Sequence, residues 1–158
     1  IEVINTDAEG RLIMADALAF ASESKPDIIC DVATLTGAAY VALGVEIGAV
    51  FSNNKVTLDS FLNSNNDGFE NYHSLPLEQS YKSQIKSNIA DMKNSGGRFG
   101  GAITAALLLE EFVDDLNWIH LDIAGPARSR SSNSIYPEGG TGFGVLGYFN
   151  FLANEANG

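Results

Sequence analysis

The sequence has 158 residues, the usual size of one domain, and 45% of them are apolar, enough for a sizeable core. Nine Lys and Arg stand against 20 Asp and Glu, which gives a formal net charge of −11. That balance argues against a nucleic-acid or anionic-membrane partner, because no surplus of cations is available to neutralise phosphates. The one cysteine, Cys30, excludes an internal disulfide and fits a reducing, cytoplasmic compartment. It lies in the apolar run Asp27–Ala33 and reads as a small buried hydrophobe. No stretch approaches the ~18 apolar residues of a membrane-spanning helix. No charged signal-peptide region precedes Ile1-Glu2-Val3-Ile4, and a chain that opens without Met inside an apolar run reads as part of a longer protein.

In chain order, Ile1–Ile4 predicts a short strand and Asn5–Gly10 a polar turn. Leu12, Ala15, Leu18, Ala19 and Ser22 recur at helical spacing, so Arg11–Ser22 predicts an amphipathic helix that stops before Pro26. Asp27–Ala33 predicts a buried strand, followed by the loop Thr34–Gly37. A short helix Ala38–Leu43, a strand Glu46–Phe51 and a surface helix Asn53–Asn66 come next, then a turn at Asp67-Gly68. Leu75–Ile85 predicts a helix with Pro76 near its start. Lys86–Gly101 is a long loop, of the kind that is often functional. Ala102–Phe112 predicts a largely buried helix, Trp118–Ile123 a strand, Ala124–Gly142 a second long loop and Gly144–Ala153 a last helix. No internal repeat or linker interrupts this order.

Alternating strands and helices predict an α/β fold of three layers, with a mostly parallel or mixed sheet and helices on both faces. In such sheets ligands bind outside the carboxyl ends of strands. The loops Asn5–Gly10, Thr34–Gly37 and Ala124–Gly142 are therefore expected to converge on one site.

The chemistry concentrates in Asn5-Thr6-Asp7-Ala8-Glu9-Gly10-Arg11-Leu12. In an extended segment residues i and i+2 point the same way, which would set Asp7 beside Glu9. Two adjacent carboxylates repel unless a cation bridges them, and a divalent metal takes hard oxygen ligands. Arg11 adds a permanent cation that can face a developing anion. The same pattern also suits solvated acids in a turn or at a helix start.

These eight residues, NTDAEGRL, resemble the signature of the leucyl (cytosol) aminopeptidase family. Asp31–Gly37 (DVATLTG), Ala90–Arg98 (ADMKNSGGR), Gly101–Ala106 (GAITAA), Trp118–Ala127 (WIHLDIAGPA) and Gly140–Val145 (GTGFGV) resemble further family segments in the family's order. The resemblance covers nearly the whole chain, as the carboxy-terminal part of a catalytic domain. It implies hydrolysis of amino-terminal, leucine-like residues from peptides, assisted by two divalent ions, zinc or manganese, with magnesium or cobalt as alternatives. It implies Asp7 as ligand of one ion, Glu9 as ligand of both, and Arg11 beside a bicarbonate base. It implies substrate contacts at Asn5, Thr34, Leu35, Gly37, Ala124 and Ala127, and a homohexamer in the intact enzyme. The family's remaining metal ligands, a Lys and two Asp, and its catalytic Lys precede the signature, as does a separate amino-terminal domain. This chain alone is therefore expected to be weak or inactive. A reading of another class is a non-catalytic assembly module of a homo-oligomer.

Other candidates carry less. Ser95–Gly101 is glycine-rich before a helix, a possible anion cradle without the residues of a P-loop or dinucleotide fingerprint; a loop near the active site or a subunit contact fits it better. Asp91 and Arg98 are placed to pair there. His120 reads as structural, His73 as a surface residue, and Asp122 as a group that orients the neighbouring loop by hydrogen bonding.

Overall fold

Side chains of successive strand residues point to opposite faces, and here each face meets its own set of helices. The computed structural model describes residues 1–66, 68–132 and 135–156. Its main sheet contains β1 (Ile28–Ala33), β2 (Ile47–Ser52), β3 (Asn71–Ser74) and β4 (Asn117–Asp122). The strand order is β1-β4-β2-β3. The pairs β1–β4 and β2–β3 are parallel and β2–β4 is antiparallel, so the sheet is mixed.

On one face, Trp118 of β4 and Ala49 and Phe51 of β2 join Leu18, Ala39 and Leu108 in one core. Those residues come from α1 (Glu9–Glu23), α2 (Gly37–Leu43) and α4 (Gly101–Glu110). Leu107, Leu108 and Leu109 of α4 are all fully buried, as expected of a helix that is apolar all round. On the other face, Val50, Ile119 and Leu121 meet Phe61 and Phe151. These two come from α3 (Lys55–Ser64) and α5 (Val145–Glu155). The result is the expected three-layer α/β arrangement.

Several boundaries differ from the sequence reading, each for a physical reason. Ile1–Ile4 forms no strand; a single bridge ties Glu2 to Lys93. Thr6–Ala8 is a 3₁₀ turn and α1 begins at Glu9, because the Asn5 side chain accepts the Asp7 N–H and caps the segment. Within Leu75–Ile85 only Gln79–Ile85 is helical, and as 3₁₀. Leu75 instead donates its N–H to the Val50 carbonyl, which extends the pairing of β3. The edge strand β3, Asn71–Ser74, has Tyr72 as its one residue of marked strand preference and is held by backbone pairing to β2. Within the Ala124–Gly142 loop, β5 (Arg128–Ser129) pairs antiparallel with β6 (Gly139–Gly140). Asp67, with its expected turn, and residues 133 and 134 of that loop lie outside the described residues.

Two polar devices sit inside this core. Glu70 is buried, and its carboxylate accepts the N–H groups of Gly144 (2.9 Å) and Gly147 (2.7 Å) and the Tyr72 hydroxyl (2.6 Å). It thereby fills the electropositive start of α5. His120 is fully buried, with Nδ1 2.5 Å from Asp31 Oδ1 and its ring stacked between Trp118 and Phe51. Asp31 also accepts the Trp118 indole N–H at 2.6 Å, so His120 belongs to a structural network. His73 is exposed.

Burial, and then the Asp31 charge, push the Cys30 thiol from its ordinary value of 9.0 up to about 11. Cys30 packs against the second core, as a small hydrophobe would. Its thiol should react slowly with an aromatic disulfide reagent at pH 8 in the folded protein and rapidly in denaturant. Because the folded value is raised, the neutral thiol favours the fold below pH 9.0, and that contribution is lost as pH rises toward about 11. Phe61 is fully buried against Tyr72, Tyr148 and Phe151. Phe61→Ala should cost about 3–5 kcal/mol in urea unfolding.

Candidate active site

The signature segment is held from a distance in sequence by Asn94, which is fully buried in the long loop before α4. Asn94 Oδ1 accepts the N–H groups of Ile4 (3.0 Å) and Asn5 (3.3 Å). Its Nδ2 donates to the carbonyls of Asn5 (2.7 Å) and Ala8 (3.5 Å). Its own carbonyl accepts Arg11 Nη1 at 2.9 Å. One side chain thus satisfies four backbone groups that no regular ladder serves, and the same residue seats Arg11. Nothing in the sequence singled out Asn94; the available signal was the length of its loop.

Asp122 does the same at the end of β4, and it is 1% exposed. Its Oδ1 accepts N–H groups from Leu35 (3.0 Å), Thr36 (3.3 Å) and Ala124 (3.2 Å). Its Oδ2 accepts the Thr36 hydroxyl at 2.6 Å. The Thr36 hydroxyl oxygen in turn accepts Ala39 N–H and caps α2. One carboxylate therefore joins Thr34–Gly37 to the start of the Ala124–Gly142 loop, as the sequence suggested.

Gly10 brings the third segment in. A Cβ added there would lie 3.8 Å from Leu35 Cδ1, so the first turn of α1 rests against the Thr34–Gly37 loop. Asp122 also acts on Arg11 electrostatically: burial pushes the guanidinium below its ordinary value and the Asp122 charge opposes that. Arg11 stays protonated at any working pH. Gly125 admits no side chain, because a Cβ would meet the Gly44 carbonyl oxygen at 2.0 Å. The three loops do converge, and Arg11 lies close enough to Asp122 to feel its charge.

The candidate ligands stand differently from the extended arrangement expected. Asp7 lies in the 3₁₀ turn and Glu9 opens α1, and residues two apart in helical backbone do not share a face. Adjacency by strand geometry is therefore corrected. Both side chains are exposed, and among the described residues no hydrogen bond or ion pair engages their carboxylate oxygens. The two offer hard oxygen donors of the class a divalent ion takes. Among the described residues no group of three or more His, Cys, Asp or Glu is assembled.

Asn5 is exposed and caps the turn; Thr34 and Gly37 are exposed; Leu35, Ala124 and Ala127 are half-buried. Asp91 and Arg98 form no ion pair with one another. The Gly97 N–H is taken by Gln84 Oε1 at 3.1 Å, which spends a donor the anion-cradle reading needed. No helix among the described residues is long and apolar enough to cross a membrane.

A model of the cytosol aminopeptidase family, catalytic domain, matches residues 1–147. The chain belongs to the cytosol aminopeptidase family. A probable cytosol aminopeptidase from a Synechococcus strain is 50% identical over 157 residues, which are 99% of this chain and 32% of that protein. One from Syntrophotalea carbinolica is 50% identical over 155 residues, 98% of this chain and 31% of that protein. A solved tomato leucine aminopeptidase mutant superposes with TM-score 0.91 at 42% identity, covering 98% of this chain and 30% of that one. The bottromycin maturation enzyme BotP, solved in complex with Mn, superposes with TM-score 0.92 at 38% identity, covering 98% of this chain and 35% of that one. The chain thus spans about a third of the length of the curated relatives it matches.

Asn94→Ala should free the backbone it clamps. Leaving the Ile4 and Asn5 N–H groups without an acceptor should cost about 1–3 kcal/mol, and amide exchange should quicken at residues 4–8 while α4 keeps its protection.

Proposed function

We propose that this chain is the carboxy-terminal part of the catalytic domain of a two-metal aminopeptidase that removes leucine-like amino-terminal residues from peptides. The observation that carries the reading is the convergence of NTDAEGRL, Thr34–Gly37 and Ala124–Ala127 around Asp122, in a chain of this family.

Asp7 and Glu9 would hold the ions, Asp7 one and Glu9 both. Their free carboxylate oxygens at a helix start support that role. Zinc or manganese, when bound, supplies Lewis acidity toward a peptide carbonyl and toward water. Arg11, seated by Asn94 and Asp122, presents a fixed cation suited to a bicarbonate base. Asn5, Thr34, Leu35, Gly37, Ala124 and Ala127 would line the substrate. The small or apolar residues Thr34, Leu35, Gly37, Ala124 and Ala127 suit a leucine side chain, whose burial is worth about 1.5–3 kcal/mol.

A zinc site takes about four ligands, so Asp7 and Glu9 need partners. In the full-length protein these come from the part of the family's length that this chain does not span, and the isolated 158 residues are expected to hydrolyse little. Exposed apolar side chains such as Val41 (84%) and Phe99 (79%) suit burial in a larger assembly, a homohexamer on this reading. A cytoplasmic setting suits the single unpaired thiol of Cys30.

Hydrolysis of leucine p-nitroanilide by the full-length protein, with added manganese or zinc, tests the proposal. Asp7→Ala or Glu9→Ala should lower kcat/KM on the order of 10²-fold or more, since metal stabilisation is worth several kcal/mol. Full activity in either variant, or in the isolated chain, would contradict it.

A further inference from the structure

On a chain with net charge −11, unpaired cations that share one cavity are unexpected. Arg128 and Arg130 are both exposed and both line a cavity of about 510 Å³ beside Tyr40 and Ala124. The two also line a second cavity that adjoins the first through Val45. Among the described residues neither guanidinium has an ion-pair partner within 4 Å. Glu138 lines the same cavity and Glu46 the adjoining one, so within the cavity beside Tyr40 two positive charges face one negative charge. Arg130 makes a long contact of 3.4 Å from Nη2 to the Tyr40 hydroxyl.

The cavity shares its wall with the candidate active site. Ala124 donates its N–H to Asp122, and Tyr40 lies on α2, which Thr36 caps. Its floor is fixed, because Gly125 is pressed against the Gly44 backbone. Arg128 opens β5, which pairs antiparallel with β6. Two like charges lining one cavity repel each other, and an anion between them removes that cost. Guanidinium groups present planar forks that match a carboxylate.

We propose that Arg128 and Arg130 form a subsite for a carboxylate of the peptide substrate, next to the loop that receives the amino-terminal residue. The proposal rests on the aminopeptidase reading and adds to it a preference for peptides that carry a negative charge beyond the scissile bond. The carboxylate is either the free carboxyl terminus of a short peptide or an acidic side chain. The acidic surface elsewhere repels such substrates, so the arginine pair is where they gain affinity.

The experiment uses the full-length protein that carries this chain. KM is measured for Leu-Gly-Gly against Leu-Gly-Gly amide, and for Leu-Glu amide against Leu-Gln amide. The ratio within each pair is compared between wild type and an Arg128→Gln, Arg130→Gln double variant, so a general loss of activity cancels. The wild type should favour the charged member of at least one pair by about twofold to fivefold, as suits exposed charge pairs. The ratio should fall to about one in the double variant, and in the wild type it should shrink as salt is raised. The pair that discriminates identifies the source of the carboxylate. Equal KM values within both pairs, or a ratio that survives in the variant, overturn the subsite while leaving the aminopeptidase reading intact. No hydrolysis of any of the four peptides by the wild type overturns both. If the double variant does not fold, the exposed single substitution Arg130→Gln carries the same comparison.

Discussion

A carboxylate taken out of water must be given hydrogen-bond donors in return, or the fold around it fails. Asp122 is the place where this chain meets that demand, and its solution shapes the site. Three backbone N–H groups and one hydroxyl close around it. Those donors belong to two loops that leave the carboxyl ends of neighbouring parallel strands, β1 and β4. Satisfying one charge therefore fixes both loops, and the residual field of that charge reaches Arg11. Asn94 completes the frame with an uncharged amide, which both donates and accepts. The signature segment needs both kinds of bond because its own backbone enters a helix from an irregular stretch.

Much of this was legible in the residues, and unevenly so. The all-apolar helix Gly101–Glu110 declared itself through composition, since burial on every side leaves no polar face; the strand Ile28–Ala33, expected to be buried, is instead an edge strand in which Ile29 is buried and Val32 is exposed. Asp122 was legible because it ends a strand beside a loop rich in small residues. Asn94 was not: a buried loop amide has no periodicity, and its partners lie about 90 residues away. Glu70 was hidden for the same reason, as its work is done at the start of α5. The misreading at Asp7 and Glu9 has a local cause. Asn5 is a helix-capping residue type, and its side chain turned a segment read as extended into the 3₁₀ entry to α1. The strand Asn71–Ser74 escaped because Tyr72 is its one strand-favouring residue, and the rest of its support comes from pairing with β2.

The arrangement separates two duties. Buried, fully bonded groups such as Asn94 and Asp122 hold the frame, while Asp7 and Glu9 remain exposed with oxygens free for other ligands. A chain about a third of its relatives' length thus keeps the family's fold at these loops, while among the described residues no group of three or more His, Cys, Asp or Glu is assembled.

The central claim is that Asp7 and Glu9 are metal ligands and not merely solvated acids at a helix start. Calorimetric titration of manganese into the metal-free full-length protein tests it most directly. The account predicts two ions bound per chain, with Asp7→Ala and Glu9→Ala each removing or greatly weakening binding of at least one. Identical stoichiometry and affinity in the wild type and both variants would contradict it.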